Sequence, residues 1–411
     1  MSVHWWAREG LEYREGELHL GRQNLADLVK SSGTPTFVYD AARVAQNLER
    51  IRTALDNHAV EYEIFFALKA NRFLPLLTFL KLNDQCGLDV CSPNELRLGR
   101  QIGFREEQIV YTNTSVSNED IECLAKHPGV HVNVDSLSSL RRLATRCQGR
   151  SLGLRINPQM GVAYHDHLTY AGDKITKFGI YADRFAEALE LARELGTTIK
   201  TLHFHVGSGY MTPDLAEFDR VLSRVHQFVG QCPAVNTLDI GGGLGVPMRP
   251  EDEGLDLDQW AAVIARHARE MGVRIQIEPG DYLIKDAGVL LVEVNTVEAK
   301  QGTLFVGVNA GFNIQNSYAY YDMPYGFAPL RHDPAAPVLN LSIAGNINEA
   351  IDVFGQEIEM HRPVEGDYLA IVNAGGYGSS MSSNHCMRGE FSEYILLPDA
   401  GQKTVYKNGK I

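Results

Sequence analysis

The sequence predicts an α/β protein, a (β/α)8 TIM barrel followed by a C-terminal β-rich domain. Eight short apolar runs recur between residues 64 and 278 with helix-sized spacers between them, as a closed parallel sheet with returning helices requires. Polar or glycine-rich groups stand at the C-terminal ends of several runs, on the face where barrel enzymes assemble their sites. After about residue 285 the alternation stops and strand follows strand.

Residues 1–35 contain short alternating segments, Leu11-Glu12-Tyr13-Arg14 and Glu17-Leu18-His19-Leu20, before a Gly33-Thr34-Pro35 break. They read as an N-terminal arm joining the β domain. Residues 36–284, opening on Thr36-Phe37-Val38-Tyr39-Asp40, are assigned to the barrel. Its strands are expected at Ile64–Leu68, Gly87–Val90, Ile109–Tyr111, Val130–Val134, Leu152–Ile156, Thr201–His205, Thr237–Ile240 and Arg274–Glu278. Residues 285–411 are assigned to a β-sandwich or β-barrel domain. Strands are expected there at Gly288–Val297, Thr303–Val308, Val338–Ile343, Asp367–Val372 and Glu393–Leu397.

Composition narrows the function. A chain of 411 residues that is 44% hydrophobic can bury a large core, and a formal charge of −13 repels nucleic acid and anionic membrane surfaces. A small-molecule enzyme is the expectation. Six scattered cysteines lack zinc-type spacing and read as reduced thiols. Met1-Ser2-Val3-His4-Trp5-Trp6-Ala7-Arg8-Glu9 meets a charge too soon for a signal segment, and no stretch reaches transmembrane length, so a cytoplasmic location is expected.

The run Phe65-Phe66-Ala67-Leu68-Lys69-Ala70-Asn71 delivers one amine to the barrel rim. Partly desolvated, that amine would have a lowered pKa and could form a Schiff base; taken alone, Lys69 reads first as a solvated lysine past a strand, since most lysines are exposed. His203-Phe204-His205-Val206-Gly207-Ser208-Gly209 and Asp239-Ile240-Gly241-Gly242-Gly243-Leu244-Gly245 follow two late strands. Their glycines let backbone N–H groups approach a phosphate, although a bare glycine run also makes a tight turn. Glu278, at the end of the last strand, could hold a pyridine nitrogen protonated or form a strand-end salt bridge. His205 could lie flat on a cofactor ring or be a satisfied strand-end histidine. Together these groups describe pyridoxal phosphate.

With these motifs the chain resembles the fold-type III pyridoxal-phosphate decarboxylases, whose barrel is alanine racemase-like, and within them the diaminopimelate decarboxylase family. The resemblance also rests on Asp89-Val90-Cys91-Ser92-Pro93-Asn94-Glu95-Leu96, Arg155-Ile156-Asn157-Pro158, Lys177-Phe178-Gly179-Ile180 and Gly376-Tyr377-Gly378-Ser379-Ser380-Met381. It implies a Schiff-base role for Lys69 and stacking by His205. It implies a phosphate site at Ser208, Gly241, Gly242 and Gly243, with Tyr377 reaching the same phosphate. Glu278 would pair with the pyridine nitrogen and Asp89 would lie near the lysine end. A small-molecule amino-acid substrate and a homodimer with shared active sites follow from the same resemblance.

The departures cluster where substrate would sit. The family's Glu-Pro-Gly is followed by arginine, but here by Asp281, and Ser317 beside Asn316 stands where the family carries an arginine for a distal carboxylate. The family's Cys-Glu-Ser-Gly-Asp aligns with Asn348-Glu349-Ala350-Ile351-Asp352, which removes the usual proton donor. Lys69, Cys386, His385 or a water held by Asn348 and Glu349 remain as donors. Tyr377 and Glu349 complete the expected substrate contacts, and Arg388 is the alternative source of the missing cation. The expected activity is decarboxylation of an amino acid or amino-acid conjugate other than diaminopimelate. The alternatives are a racemase or epimerase, decarboxylation coupled to transamination or oxidation, and a non-catalytic cofactor-binding homologue.

Overall fold

A computed structural model describes residues 4–172, 174–333 and 335–398, and the backbone of 403–408. Met1–Val3 of the segment weighed as a signal, and the last residues of the span assigned to the β domain, lie outside the described residues. In the arm, β1 (Leu11–Arg14), β2 (Glu17–Leu20) and β3 (Gln23–Asn24) form a small antiparallel sheet. Helix α1 (Leu25–Ser32) follows, capped by the Asn24 side chain, which accepts from the N–H groups of Ala26 and Asp27.

Strand β4 (Thr36–Asp40) precedes the barrel, whose elements alternate strictly. They are α2 (Ala41–Asn57), β5 (Tyr62–Ala67), α3 (Leu74–Leu82), β6 (Gly87–Val90), α4 (Pro93–Ile102), β7 (Ile109–Thr112), α5 (Asn118–Ala125) and β8 (His131–Val134). Then come α6 (Leu137–Arg146), β9 (Leu152–Arg155), α7 (Ala182–Glu194), β10 (Ile199–His203), α8 (Leu215–Val229), β11 (Thr237–Asp239), α9 (Leu257–Met271) and β12 (Arg274–Ile277). Strands β5 to β12 close into a parallel barrel, β12 pairing with β5. Helix starts follow side-chain caps at Asp40, Ser92, Ser117, Ser136 and Asp256, and glycines in the left-handed region end α4 and α9 at Gly103 and Gly272.

After α10 (Asp281–Ile284) the chain forms β13 (Gly288–Lys300) and β14 (Thr303–Val308), then α11 (Ser317–Tyr321), β15 (Gly326–Pro329), β16 (Val338–Ala344), β17 (Val353–His361), β18 (Tyr368–Val372), β19 (Phe391–Leu396) and β20 (Lys403–Asn408). These strands make a nine-stranded sheet ordered β17-β16-β14-β13-β4-β19-β20, with β18 and β15 branching from β13. Thr36–Asp40, assigned from sequence to the barrel, therefore lies in this second sheet, antiparallel to β13 and parallel to β19. Because α2 follows it directly, it has the appearance of a βα unit, but the barrel closes without it.

Both faces of the central strands are covered, which explains their unbroken apolar runs. Phe37, Tyr39, Leu290 and Val292 face the main core, which is continuous with the barrel. Val38, Val289 and Leu291 face the arm, where Trp6, Leu11, Leu18, Leu25 and Leu28 cover them.

One buried ion cluster ties these parts together. Asp286 accepts from Arg43 at 2.6 Å, from Asn47 at 2.7 Å and lies 4.0 Å from Arg8. Burial opposes its ionisation, but Arg8 and Arg43 outweigh burial and hold the carboxyl below the usual range. Asp286→Ala leaves two guanidinium groups without their anion and is expected to cost roughly 3 kcal/mol of stability. Because the folded pKa is depressed, this contribution is present above the unfolded carboxylate value of about 4 and is lost as pH falls through the folded value. Urea unfolding of both proteins at pH 7 and pH 3 checks this; an equal gap at the two pH values contradicts it.

Candidate active site

Lys69 lies on a short 3-10 turn, Leu68–Ala70, that leaves the end of β5. Its Nζ donates to Asp89 Oδ2 at 2.5 Å, and its side chain stays 40% exposed, so the amine is open to an incoming aldehyde. Asp89, at the rim of neighbouring β6, is fully buried. Burial and nearby Glu278 push its carboxyl up to about 7. Burial also opposes charge on Lys69, but Asp89, Tyr377 and Glu278 outweigh it and raise the amine well above its ordinary value. This corrects the expected lowered pKa: the free chain stores an ammonium on Lys69.

Beneath the rim lies a polar layer inside the barrel. Glu278 Oε2 accepts from His203 Nε2 at 3.1 Å and Oε1 from Thr112 at 3.3 Å, while Asn133 donates to Thr112 at 3.0 Å. Burial pushes the His203 imidazole below its ordinary pKa, so it is neutral at pH 7. With Nε2–H donated to Glu278, Nδ1 is left bare, and it has no partner among the described residues. Asp239 completes the layer. Burial and Glu278 raise its carboxyl far above the normal range, whereas His203, Lys69 and Asp239 outweigh burial and hold Glu278 below it. The proton of this acid pair resides on Asp239, and Glu278 is the anion.

The turn after β10 places His205 against Tyr170, ring centroids 4.7 Å apart, with Nδ1 accepting from the N–H of Gly207 at 3.2 Å. Burial, then Arg155 and Lys69, lower its pKa to about 3, so the ring is neutral and flat-faced. The glycine run behind it cannot be replaced. Gly241 and Gly243 have φ of +67° and +97°, and side chains at Gly242 and Gly243 would overlap the carbonyl oxygens of Glu278 and Gly207. Ser208 sits in the adjoining turn, where Gly209 and Tyr210 donate to the Gly243 carbonyl at 2.8 and 3.1 Å. Tyr377, with φ +58°, donates its N–H to Ala70 at 2.8 Å beside the lysine turn.

Lys69, Asp89, His205, Glu278, Tyr377 and the glycine turns thus converge on one barrel mouth. The other sequence candidates stand apart or are differently engaged. Asp281 pairs with Lys285 one helical turn on, so it does not present the bare negative charge expected there. Its second oxygen is buried without a partner among the described residues. Ser317 is buried and donates its N–H to Tyr325 at 2.9 Å, and Asn316 reaches the Met381 carbonyl at 3.5 Å. Asn313 donates to the carbonyl of Arg388 at 2.9 Å. Glu349 pairs with His385 at 3.2 Å, and Cys386 is exposed with φ +53°. No hydrogen bond or ion pair among the described residues joins Asn348, Glu349 or Cys386 to the Lys69 cluster.

His203, Thr112, Asn133 and Asp239 had no role assigned from sequence. Two histidines two residues apart at a strand end, His203 and His205, were the available signal, because alternate residues of a strand share a face.

The glycine cradle, an anionic carboxylate, a neutral imidazole and a rim amine fit pyridoxal phosphate. Fold and site together define a pyridoxal-phosphate enzyme of the α/β barrel class. Residues 41–285 match the family described as pyridoxal-dependent decarboxylase, pyridoxal binding domain, and the chain belongs to that family. It is 32% identical to a diaminopimelate decarboxylase of Methanothermobacter thermautotrophicus, over 93% of this chain and 91% of the relative. It is 30% identical to that of Escherichia coli K12, over 93% of each. Among solved structures, diaminopimelate decarboxylase from Helicobacter pylori complexed with L-lysine superposes with a TM-score of 0.84 at 25% identity, over 93% of this chain and 95% of that one. A viral arginine decarboxylase, 20% identical with a TM-score of 0.80 over 90% and 99%, shares the fold. The chain is a diaminopimelate decarboxylase-like pyridoxal-phosphate decarboxylase of amino acids.

Proposed function

We propose that the enzyme decarboxylates an amino acid whose far end is neutral or cationic. The observation that carries this reading is the loss of free positive charge at two positions. Asp281 is neutralised by Lys285, and Ser317 is a small buried hydroxyl residue. A distal carboxylate would meet no oriented guanidinium there, and a serine cannot supply its charge. The near full-length likeness to diaminopimelate decarboxylases favours the second reading, diaminopimelate itself. CO2 release from diaminopimelate, lysine, ornithine and arginine decides between them. We expect diaminopimelate to be slower in kcat/KM by about a hundredfold or more; if it is the fastest, the second reading holds.

When bound, pyridoxal phosphate supplies an aldehyde for the substrate amine and an electron-accepting ring. Lys69 is the residue to carry it, Glu278 to hold its ring nitrogen protonated, His205 to lie on its ring, and Ser208, Gly241–Gly243 and Tyr377 to bind its phosphate. His203, Thr112 and protonated Asp239 keep Glu278 ionised and aimed. Asp89 holds a proton on Lys69 Nζ, which keeps one acidic hydrogen at the barrel mouth.

The reading includes a homodimer in the cytoplasm. Its support is Ile351 and Met387, exposed and apolar beside the Glu349–His385 pair, together with six free thiols. No helix among the described residues is long and apolar enough to cross a membrane. In the dimer, the Asn348–Asp352 loop serves the partner's site. Mixing Lys69→Ala chains with Glu349→Ala chains should then restore activity; proven subunit exchange without recovery contradicts a shared site.

A further inference from the structure

On the outer wall of the barrel, far along the chain from Lys69, α8 and α9 bring two imidazoles and a carboxylate to one point. His226 lies in the last turn of α8, and His267 and Glu270 are three residues apart on α9, so they share a helix face. His226 Nε2 is 2.8 Å from His267 Nδ1. Glu270 Oε2 is 3.7 Å from the first nitrogen and 3.9 Å from the second. Ligand atoms bound at about 2.05 Å around a tetrahedral zinc ion stand about 3.3 Å apart. The three observed separations bracket that value, so shifts of about half an ångström would complete the triangle.

A fourth residue stands where an outer support belongs. Asp219, two turns before His226 on α8, has Oδ1 2.6 Å from His267 Nε2. That contact puts the hydrogen on Nε2 and leaves the Nδ1 lone pair directed at His226 and Glu270. His267, only 2% exposed, is held in this orientation. His226 and Glu270 are partly exposed, which leaves solvent for a remaining position. Arg266 is the cation facing the group, and it donates to Asp219 rather than to any of the three ligand atoms.

We propose that His226, His267 and Glu270 form a site for a divalent transition metal, zinc foremost, that clamps α8 to α9 with Asp219 as its outer support. Two imidazoles and a carboxylate are a donor set suited to zinc. In the metal-free chain, His226 Nε2–H donates to His267 Nδ1. On binding, that hydrogen moves to His226 Nδ1 and the ion takes its place, with no net change in protonation. The clamp fixes the helices that follow the His205–Gly209 and Gly241–Gly243 turns, so its effect is on stability and not on the chemistry.

Zinc chloride added to the chelator-stripped, pyridoxal-phosphate-loaded protein tests the site by equilibrium dialysis and thermal unfolding. One zinc per chain should bind and raise the unfolding temperature. His226→Gln and Glu270→Gln, both at partly exposed positions, should each weaken binding at least tenfold and remove the shift. Asp219→Asn should weaken binding by about ten- to a hundredfold. Failure of the wild type to bind one equivalent, or binding that neither His226→Gln nor Glu270→Gln weakens, overturns the proposal.

Discussion

Lys69→Ala is expected to abolish the visible absorption of bound pyridoxal phosphate and to lower decarboxylation by at least about ten-thousandfold. The wild-type amine is the reason. It combines exposure to an incoming aldehyde with a buried carboxylate, Asp89, at 2.5 Å to orient it. Borohydride treatment followed by mass spectrometry should find the cofactor on the peptide carrying Lys69. Label on another lysine, or an unchanged absorption band in the variant, removes Lys69 from its role. Because Asp89 and Lys69 hold a proton between them, loading the free chain with the cofactor should speed up as pH rises and that ammonium is lost.

Glu278→Gln is expected to retain the cofactor but to lose turnover by about a hundred- to a thousandfold, the usual cost of removing one preorganised charged partner. The surroundings of Glu278 are built for an anion. His203 and Thr112 donate to its two oxygens, and Asp239 keeps its own proton. An amide brings two N–H donors into a place lined with donors, so it removes charge and mispairs His203 or Thr112 as well. Absorbance titration separates cofactor affinity from turnover. Unchanged kcat with full cofactor occupancy removes Glu278 from the mechanism.

The barrel was legible because its strands are short apolar runs ending on motif residues, and all eight expected runs overlap a strand of the closed sheet. The second sheet was less so. Glu357, with φ +55°, and register shifts between β16 and β17 break the alternation of Val353–His361 that would mark a strand. Gly326–Pro329 is short and carries a proline, which argues against a strand from sequence alone. Strand β4 reads as apolar wherever it is placed, and its pairing with β13 and β19 decides its sheet. At the site, Lys69, His205, Glu278 and the glycines carry recognisable patterns. Asp239 and His203 acquire meaning only when ring closure sets β10, β11 and β12 side by side. Asp281 and Lys285 differ in kind: they stand four residues apart in the sequence, but only the short helix Asp281–Ile284 brings them into contact, so Asp281 read from sequence as an uncompensated charge.

The pairing of β4 with β13 has a topological consequence. Tyr39 and Gly288 face each other in register across the sheet, and the entire barrel lies between them in the chain. Seen from the sheet, the barrel is a single enormous hairpin loop. Bringing the ends of a flexible loop some 250 residues long together costs about 3 kcal/mol more than closing one of ten residues. A folded barrel delivers its two ends side by side and cancels that entropy. The catalytic unit therefore acts as the staple of the sheet, and an insertion event at one β-turn describes its architecture better than two domains in tandem.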